Sequence, residues 1–227
     1  MTSTLSFLLL TLTAYWLGCR LRDRTGGHSL AQPVLVAIVL VGGVLLVTGV
    51  DYADYRDGTE LVSFWLGPAT VALAVPLHRQ VRRLRGVALP MLVAIPLGAV
   101  VSVVTAYTLV RLCGGGDLLA TTMAPKAVTT PVSIALSGQQ GGLPQVTAVL
   151  TVTAGVLGAV AGPAVLTLAR IRDRRARGLA LGAVSHGIGT SRALAEDETE
   201  GAFAGLSMGL TALATSLLLP VLLVLLR

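Results

Sequence analysis

Residues 118–137 read LLATTMAPKAVTTPVSIALS. The stretch is long and apolar enough to enter a bilayer, which about 20 helical residues span. Its middle, however, carries two prolines and Lys126, the only lysine of the chain. Pro125 removes a backbone donor and pushes Ala124 out of helical geometry. Thr130-Pro131 then has the form of a new helix start, with threonine as N-cap and proline at the first helical position. Whether this segment crosses the membrane or turns back inside it fixes the orientation of everything that follows.

The chain of 227 residues is 54% hydrophobic and 12% charged, where a soluble domain carries about 25% charged residues. Its charges are clustered, and the gaps between clusters run to span length. The pattern is that of an all-α polytopic membrane protein; the short alternating segments of a membrane β-barrel are absent. The clear spans are about 4–19, 31–50, 61–77, 87–110, 146–169 and 201–226. Arginines follow the first (Arg20, Arg22, Arg24), the third (Arg79, Arg82, Arg83, Arg85) and the fifth (Arg170, Arg172, Arg174, Arg175, Arg177). The positive-inside rule places these clusters in the cytoplasm and the N-terminus outside. The net charge of +6 is thereby explained as loop charge, and nucleic acid is not expected as a partner. The run at 4–19 reads as a retained span; its WLGCR end lacks the basic start and small residues of a cleaved leader. Cys19 and Cys113 fall on opposite faces of this topology, so no disulfide is expected.

The parity of the crossings distinguishes a full span from a turn inside the membrane. Between the clusters at 79–85 and 170–177, span 87–110 leads out and span 146–169 leads back. A full crossing by 118–137 would put the second cluster outside, so the charges favour a re-entrant hairpin. Segment 179–195 has the same character. The two regions also align. In 87–145 a long span leads to LLATTMA, a polar break at 125–131 and VSIALS; in 146–200 a long span leads to LALGAVS, a polar break at 185–192 and SRALAE. A single crossing separates the units, so the second is inverted relative to the first. The expected plan is about six full spans with two broken helical hairpins: N-terminal spans over 1–86, repeats at 87–145 and 146–200, and a last span at 201–227. This is a transporter-like plan, in which the substrate sits where paired breaks meet at mid-membrane.

Non-helical backbone at membrane depth needs protein or a watery cavity around it. At the first break, the N–H groups of Val132 and Ser133 would point back towards Lys126, Thr129 and Thr130, a combination suited to a carboxylate. Lys126 has no acidic residue near it in sequence, the next on either side being Asp117 and Asp173, and an ionisable group inside the membrane is a functional candidate. At the second break, Gly187 and Gly189 loosen the backbone, and Ser185, His186, Thr190 and Arg192 supply polar groups. His186 can bind substrate, relay a proton or bond to carbonyls freed by the break. Arg192 can pair with Glu196 or reach the substrate, and Thr190 has the look of another N-cap. The predicted substrate-binding set is therefore Lys126, Thr129, Thr130, Ser185, His186, Thr190 and Arg192. No enzyme is expected: the serine-hydrolase elbow is absent, and one histidine with two distant cysteines makes no metal site. His28 and His78 accompany cytoplasmic arginines. Gly155, Gly158 and Gly162 suit close helix packing.

Across most of the chain, PATVALAVPL, PKAVTTP, GGLPQVTA, GAVAGP, ARGLALGAVSHGIGTSRA and EGAFAGLSMGL resemble the LrgB/CidB family of membrane proteins. Gln140 and Ser191 depart from its usual aliphatic residue and alanine. The resemblance implies one of two roles. Bacterial members are named as holin-like or antiholin-like regulators of murein hydrolase export and lysis, acting with a small LrgA/CidA-like membrane protein. Plant plastid members are glycolate/glycerate translocators, and some bacterial members are linked to pyruvate uptake. The residues themselves favour the transport account with a carboxylate ligand. With the resemblance this implies a secondary transporter of small monocarboxylates (glycolate, glycerate, lactate or pyruvate) in a bacterial cell (inner) membrane, with no bound cofactor beyond a coupled H+ or Na+ and with a homo-oligomer open.

Overall fold

The first apolar run continues as helix straight through its arginines, which are good helix formers whose stems can lie along an apolar helix while their heads reach water. In the computed structural model, which describes residues 2–25, 31, 33–62, 64–65, 68 and 87–227, this helix is α1, Thr2–Arg24. The guanidinium of Arg20 stacks over Trp16 at 4.5 Å. Two compact units are present, Met1–Val75 and Pro76–Arg227.

In the first unit α1 packs on α2, Pro33–Thr48, and on α3, Tyr52–Gly58. Gly18 permits the first contact, because a Cβ there would meet the Pro33 backbone at 2.7 Å. Asp51 caps α3 by accepting from the Ala53 N–H. Tyr55 then meets Phe7 edge to face and hydrogen-bonds Thr11. The span expected at 31–50 is 16 residues of helix, trimmed by Pro33 at one end and Gly49 (φ 67°) at the other. The span expected at 61–77, the arginines at 79–85 and both His28 and His78 lie largely or wholly outside the described residues. Cys19 and Cys113 are free.

The second unit comprises α4 (Ala88–Leu112), α5 (Asp117–Met123), α6 (Thr130–Gln139), α7 (Pro144–Leu168), α8 (Arg174–Glu196) and α9 (Glu198–Leu226). Among the described residues there are no strands, and four helices are long and apolar enough to cross a membrane: α1, α4, α7 and α9. The other elements of this unit form two hairpins. In the first, α5 and α6 are the arms and residues 124–129 the tip. Arg227 identifies the open end, since it pairs with Asp117 and also donates to the Gln140 carbonyl at 3.1 Å. In the second, α8 doubles back on itself. A straight helix of its length would run about 33 Å, yet Glu196 near its end lines the same cavity as Arg174 and Arg177 near its start. His186, at φ 41° and ψ −131°, is the turning point.

The hairpins approach α7 from its two ends. The first is anchored at the N-terminus of α7, where the Leu143 N–H donates to Thr122 Oγ1 (3.0 Å) and Thr147 Oγ1 donates to Ser137 Oγ (2.6 Å). The second is anchored at the C-terminus, where Arg177 Nη1 donates to Thr167 Oγ1 and to the Ile171 carbonyl. Helix α9 runs behind both. Its Phe203, Ala204 and Leu206 pack with α4 or the second hairpin, and Leu219 and Leu223 pack with Val103 and Tyr107 of α4 and with the first hairpin. Gly155, Gly158 and Gly162 do form a packing face, because a Cβ on each would strike His186, Ser185 or Leu181.

Candidate functional site

Helix α7 carries buried small residues at four-residue intervals, Thr147, Thr151, Gly155 and Ala159, so one stripe faces the hairpins along its length. About two turns from its N-terminus both hairpins converge on Thr151. Ser133, on the first turn of α6, is 2.8 Å from Thr151 Oγ1, and His186 Nε2 is 3.1 Å from the Thr151 carbonyl. A carbonyl only accepts, so His186 carries its proton on Nε2 in this contact. One threonine therefore couples the two breaks.

The first tip departs from the sequence expectation by one residue. The N-cap is Thr129, because the Ser133 N–H bonds the Thr129 carbonyl at 2.9 Å. Thr130 and Pro131 are consequently the first two helical residues, and the Ser133 donor is consumed inside the helix instead of pointing at a ligand. Lys126 sits half-buried in the loop, and none of the ion pairs among the described residues includes it.

The second tip departs further. The break expected over 185–192 is confined to His186, and the helix resumes at once on the far side. Thr190 is inside that helix and not its N-cap, for its hydroxyl donates back to the His186 carbonyl at 2.8 Å. Arg192 lies roughly 9 Å along the arm from His186 and pairs with Glu196 at 2.6 Å. The structure thus brings Ser185 and His186 to the α7 contact, keeps Thr190 one turn behind, and sets Arg192 towards the open end.

Three buried hydroxyls around the tips have no partner among the described residues: Thr129 Oγ1, Ser185 Oγ and Thr211 Oγ1. Thr211 belongs to α9. One turn before it Met208 faces Gly187 and Thr190, and beside it Ala212 packs against the first-hairpin cluster. A buried hydroxyl left unpaired costs about 1–3 kcal/mol, so a small polar group that reaches any of the three is favourably received. Hydroxyls, an imidazole and an ammonium group suit an anion with several acceptor atoms. No group of three or more metal-ligating side chains occurs among the described residues.

The LrgB-like family profile matches residues 11–225. The chain belongs to the LrgB-like family. It is 31% identical over 218 residues to a holin-like protein CidB of Staphylococcus epidermidis, covering 96% of this chain and 95% of that one. It is 33% identical over 216 residues to the uncharacterized protein YwbG of Bacillus subtilis (95% and 96%). An antiholin-like protein LrgB of Bacillus mycoides is 31% identical over 213 residues (94% and 93%). No solved structure matches this chain. With its apolar helices, this LrgB-like chain is a multi-pass membrane protein.

Sequence reasoning did not single out Thr151 or Thr211 of this LrgB-like chain. A polar residue on the buried stripe of each apolar span was the available signal. Which of several such threonines matters depends on where the tips arrive.

Proposed function

We propose that this LrgB-like protein is a secondary transporter of small monocarboxylates of the glycolate, glycerate, lactate or pyruvate type. The observation that carries this reading is the meeting of the two hairpins at Thr151 of α7, approached from opposite ends of that helix, beside buried hydroxyls that have no partner among the described residues. On this reading 1–227 is one membrane domain, the hairpins are re-entrant, the units 87–145 and 146–200 are an inverted repeat, and the N-terminus lies outside. Lys126 supplies charge compensation. Thr129, Thr130 and Ser185 supply donors, His186 and Thr190 line the site with their own protons held by backbone carbonyls, and Arg192 adds positive potential from the arm. A proton through His186, or a sodium ion, is coupled to transport, and motion of the hairpins against the spans gives alternating access.

The names of the relatives favour a second reading, a holin- or antiholin-type regulator of murein hydrolase export and lysis that works by membrane assembly, with a small LrgA/CidA-like partner or as a homo-oligomer. Proteoliposome uptake of labelled glycolate and pyruvate separates the two. Transport predicts uptake in the wild type that falls in Lys126→Ala and His186→Ala. Uptake unchanged in both variants removes the site assignment. Absence of uptake for every monocarboxylate, with the LrgA-like partner also present, selects the regulator.

A further inference from the structure

At the end of the second hairpin away from its tip, a cavity of about 500 Å³ is lined by Thr167, Arg170, Arg172, Arg174, Arg177 and Glu196, with Ile171 completing the wall. Four arginines face one carboxylate, and that carboxylate is already engaged by Arg192 at 2.6 Å. The arginines are not equivalent. Arg177 is 8% exposed and is held by Thr167 and the Ile171 carbonyl through Nη1, with Nε 3.4 Å from Glu200. Arg174 donates to the same Glu200 carboxylate at 2.9 Å. Glu200 is buried on α9, so it fixes two guanidinium groups at the cavity floor. Arg170 and Arg172 are exposed, and neither takes part in an ion pair or side-chain hydrogen bond among the described residues.

The position of Arg170 adds a second observation. Helix α7 ends in a Schellman turn, with the Ile171 N–H on the Leu166 carbonyl and the Arg170 N–H on the Thr167 carbonyl. Arg170 occupies the left-handed position of that turn at φ 58°, where glycine is ordinarily found. The chain thus holds an arginine, at a backbone cost, where its side chain reaches the cavity rim. Loop arginines that only orient a membrane protein need neither a shared concavity nor a strained backbone.

We propose that this cavity is a phosphate-anion site, taking either the phosphate of an anionic lipid headgroup or a free phosphate. Guanidinium groups bind phosphate through paired N–H donors, and basic pockets between spans on the cytoplasmic side suit anionic headgroups. The cavity joins the end of α7, both ends of α8 and, through Glu200, the start of α9. An anion there ties the mouth of the second hairpin to two spans, whatever the tip of that hairpin carries.

The test uses the purified full chain in neutral detergent, titrated separately with dihexanoyl phosphatidylglycerol, dihexanoyl phosphatidylcholine and sodium phosphate, with thermal unfolding as the readout. A saturable rise with phosphatidylglycerol and none with phosphatidylcholine identifies a lipid source; saturation by phosphate at the same level identifies a free phosphate. In either case Arg170→Gln and Arg172→Gln each weaken the apparent affinity about fivefold. Arg170→Gly guards against a folding artefact, since it relieves the turn and so maintains or raises the melting temperature while weakening the anion. No saturable effect of either anion, or affinity unchanged in the Arg170→Gln/Arg172→Gln double variant, overturns the proposal.

Discussion

The two hairpins reach the same threonine by different means. The first turns through a six-residue tip, 124–129. Ala124 stays in helical geometry (φ −52°, ψ −46°) against the expectation for a residue before proline. The turn follows from Pro125 on, and the helix start at Thr129 and Pro131 closes it. The second turns at one residue, His186, with no proline, and its arms lie so close that a Cβ on Gly189 would strike the Leu181 carbonyl. Their open ends differ as well. Arg227 and Asp117 close the first as an accessible pair at 3.4 Å, with Tyr107 donating to the same carboxylate. Buried Glu200 with Arg174 and Arg177 closes the second. Helix α9, about 43 Å long, supplies one closing residue at each of its ends. One hairpin is thus shaped by its own covalent chemistry and the other by what packs on it.

The sharpest way to break that contrast is at the open ends. Glu200→Ala should destabilise the protein by about 3–5 kcal/mol, because it leaves Arg177 buried without its counter-charge. Asp117→Asn removes the charge of a solvent-exposed pair while keeping an acceptor for the buried Tyr107 hydroxyl, and should cost about 1 kcal/mol or less. Urea or thermal unfolding in detergent reads both, and equal losses would erase the distinction between the two closures.

Glycine substitutions probe the arms. In Gly182→Ala the new Cβ meets the Ala204 carbonyl of α9; backbone on both sides leaves nothing to yield, and a loss of about 3 kcal/mol is expected. Gly138→Ala in the first hairpin meets only Pro144 at ordinary contact distance and should fall within about 1 kcal/mol of wild type. A tolerated Gly182→Ala would mean that the second hairpin is looser than drawn.

Thr151→Val separates coupling from packing. It removes the hydroxyl bonded to Ser133 yet keeps the carbonyl bonded to His186. Ser133 retains the Thr130 carbonyl as acceptor, so the stability loss should be only about 1 kcal/mol. On the transport reading the uptake rate in proteoliposomes falls with little change in melting temperature. Full uptake by Thr151→Val would confine the site to the hairpins themselves.

The smallest effect concerns the start of α8. The Arg175 side chain and backbone bond Asp173 and hold its carboxyl below the usual carboxylate range. A depressed folded-state pKa stabilises the protein above the unfolded carboxylate value, and the contribution is lost as pH falls through the folded value. Asp173→Asn should therefore lower the melting temperature slightly at neutral pH and flatten its fall on acidification. An unchanged acid limb would show that this cap contributes nothing.

The sequence by itself determined the all-helical membrane character, the existence of a break near Pro125 and Pro131, the glycine packing face of α7 and the family. Each rests on chemistry carried by neighbouring residues: prolines without donors, arginines that shun the bilayer, glycines one turn apart. Only the tertiary structure decided that the second break is His186 alone, that Thr190 bonds backwards instead of capping a helix, that Arg192 turns to Glu196, and that Thr151 and Thr211 flank the tips. At His186 no residue forbids a helix. The turn exists because α7 and α9 offer glycine- and alanine-lined faces that the returning arm fills, and because the Thr151 carbonyl accepts the ring N–H. A helix broken by its own prolines can be read along the chain, whereas one folded over by its neighbours becomes visible only when those neighbours are in place.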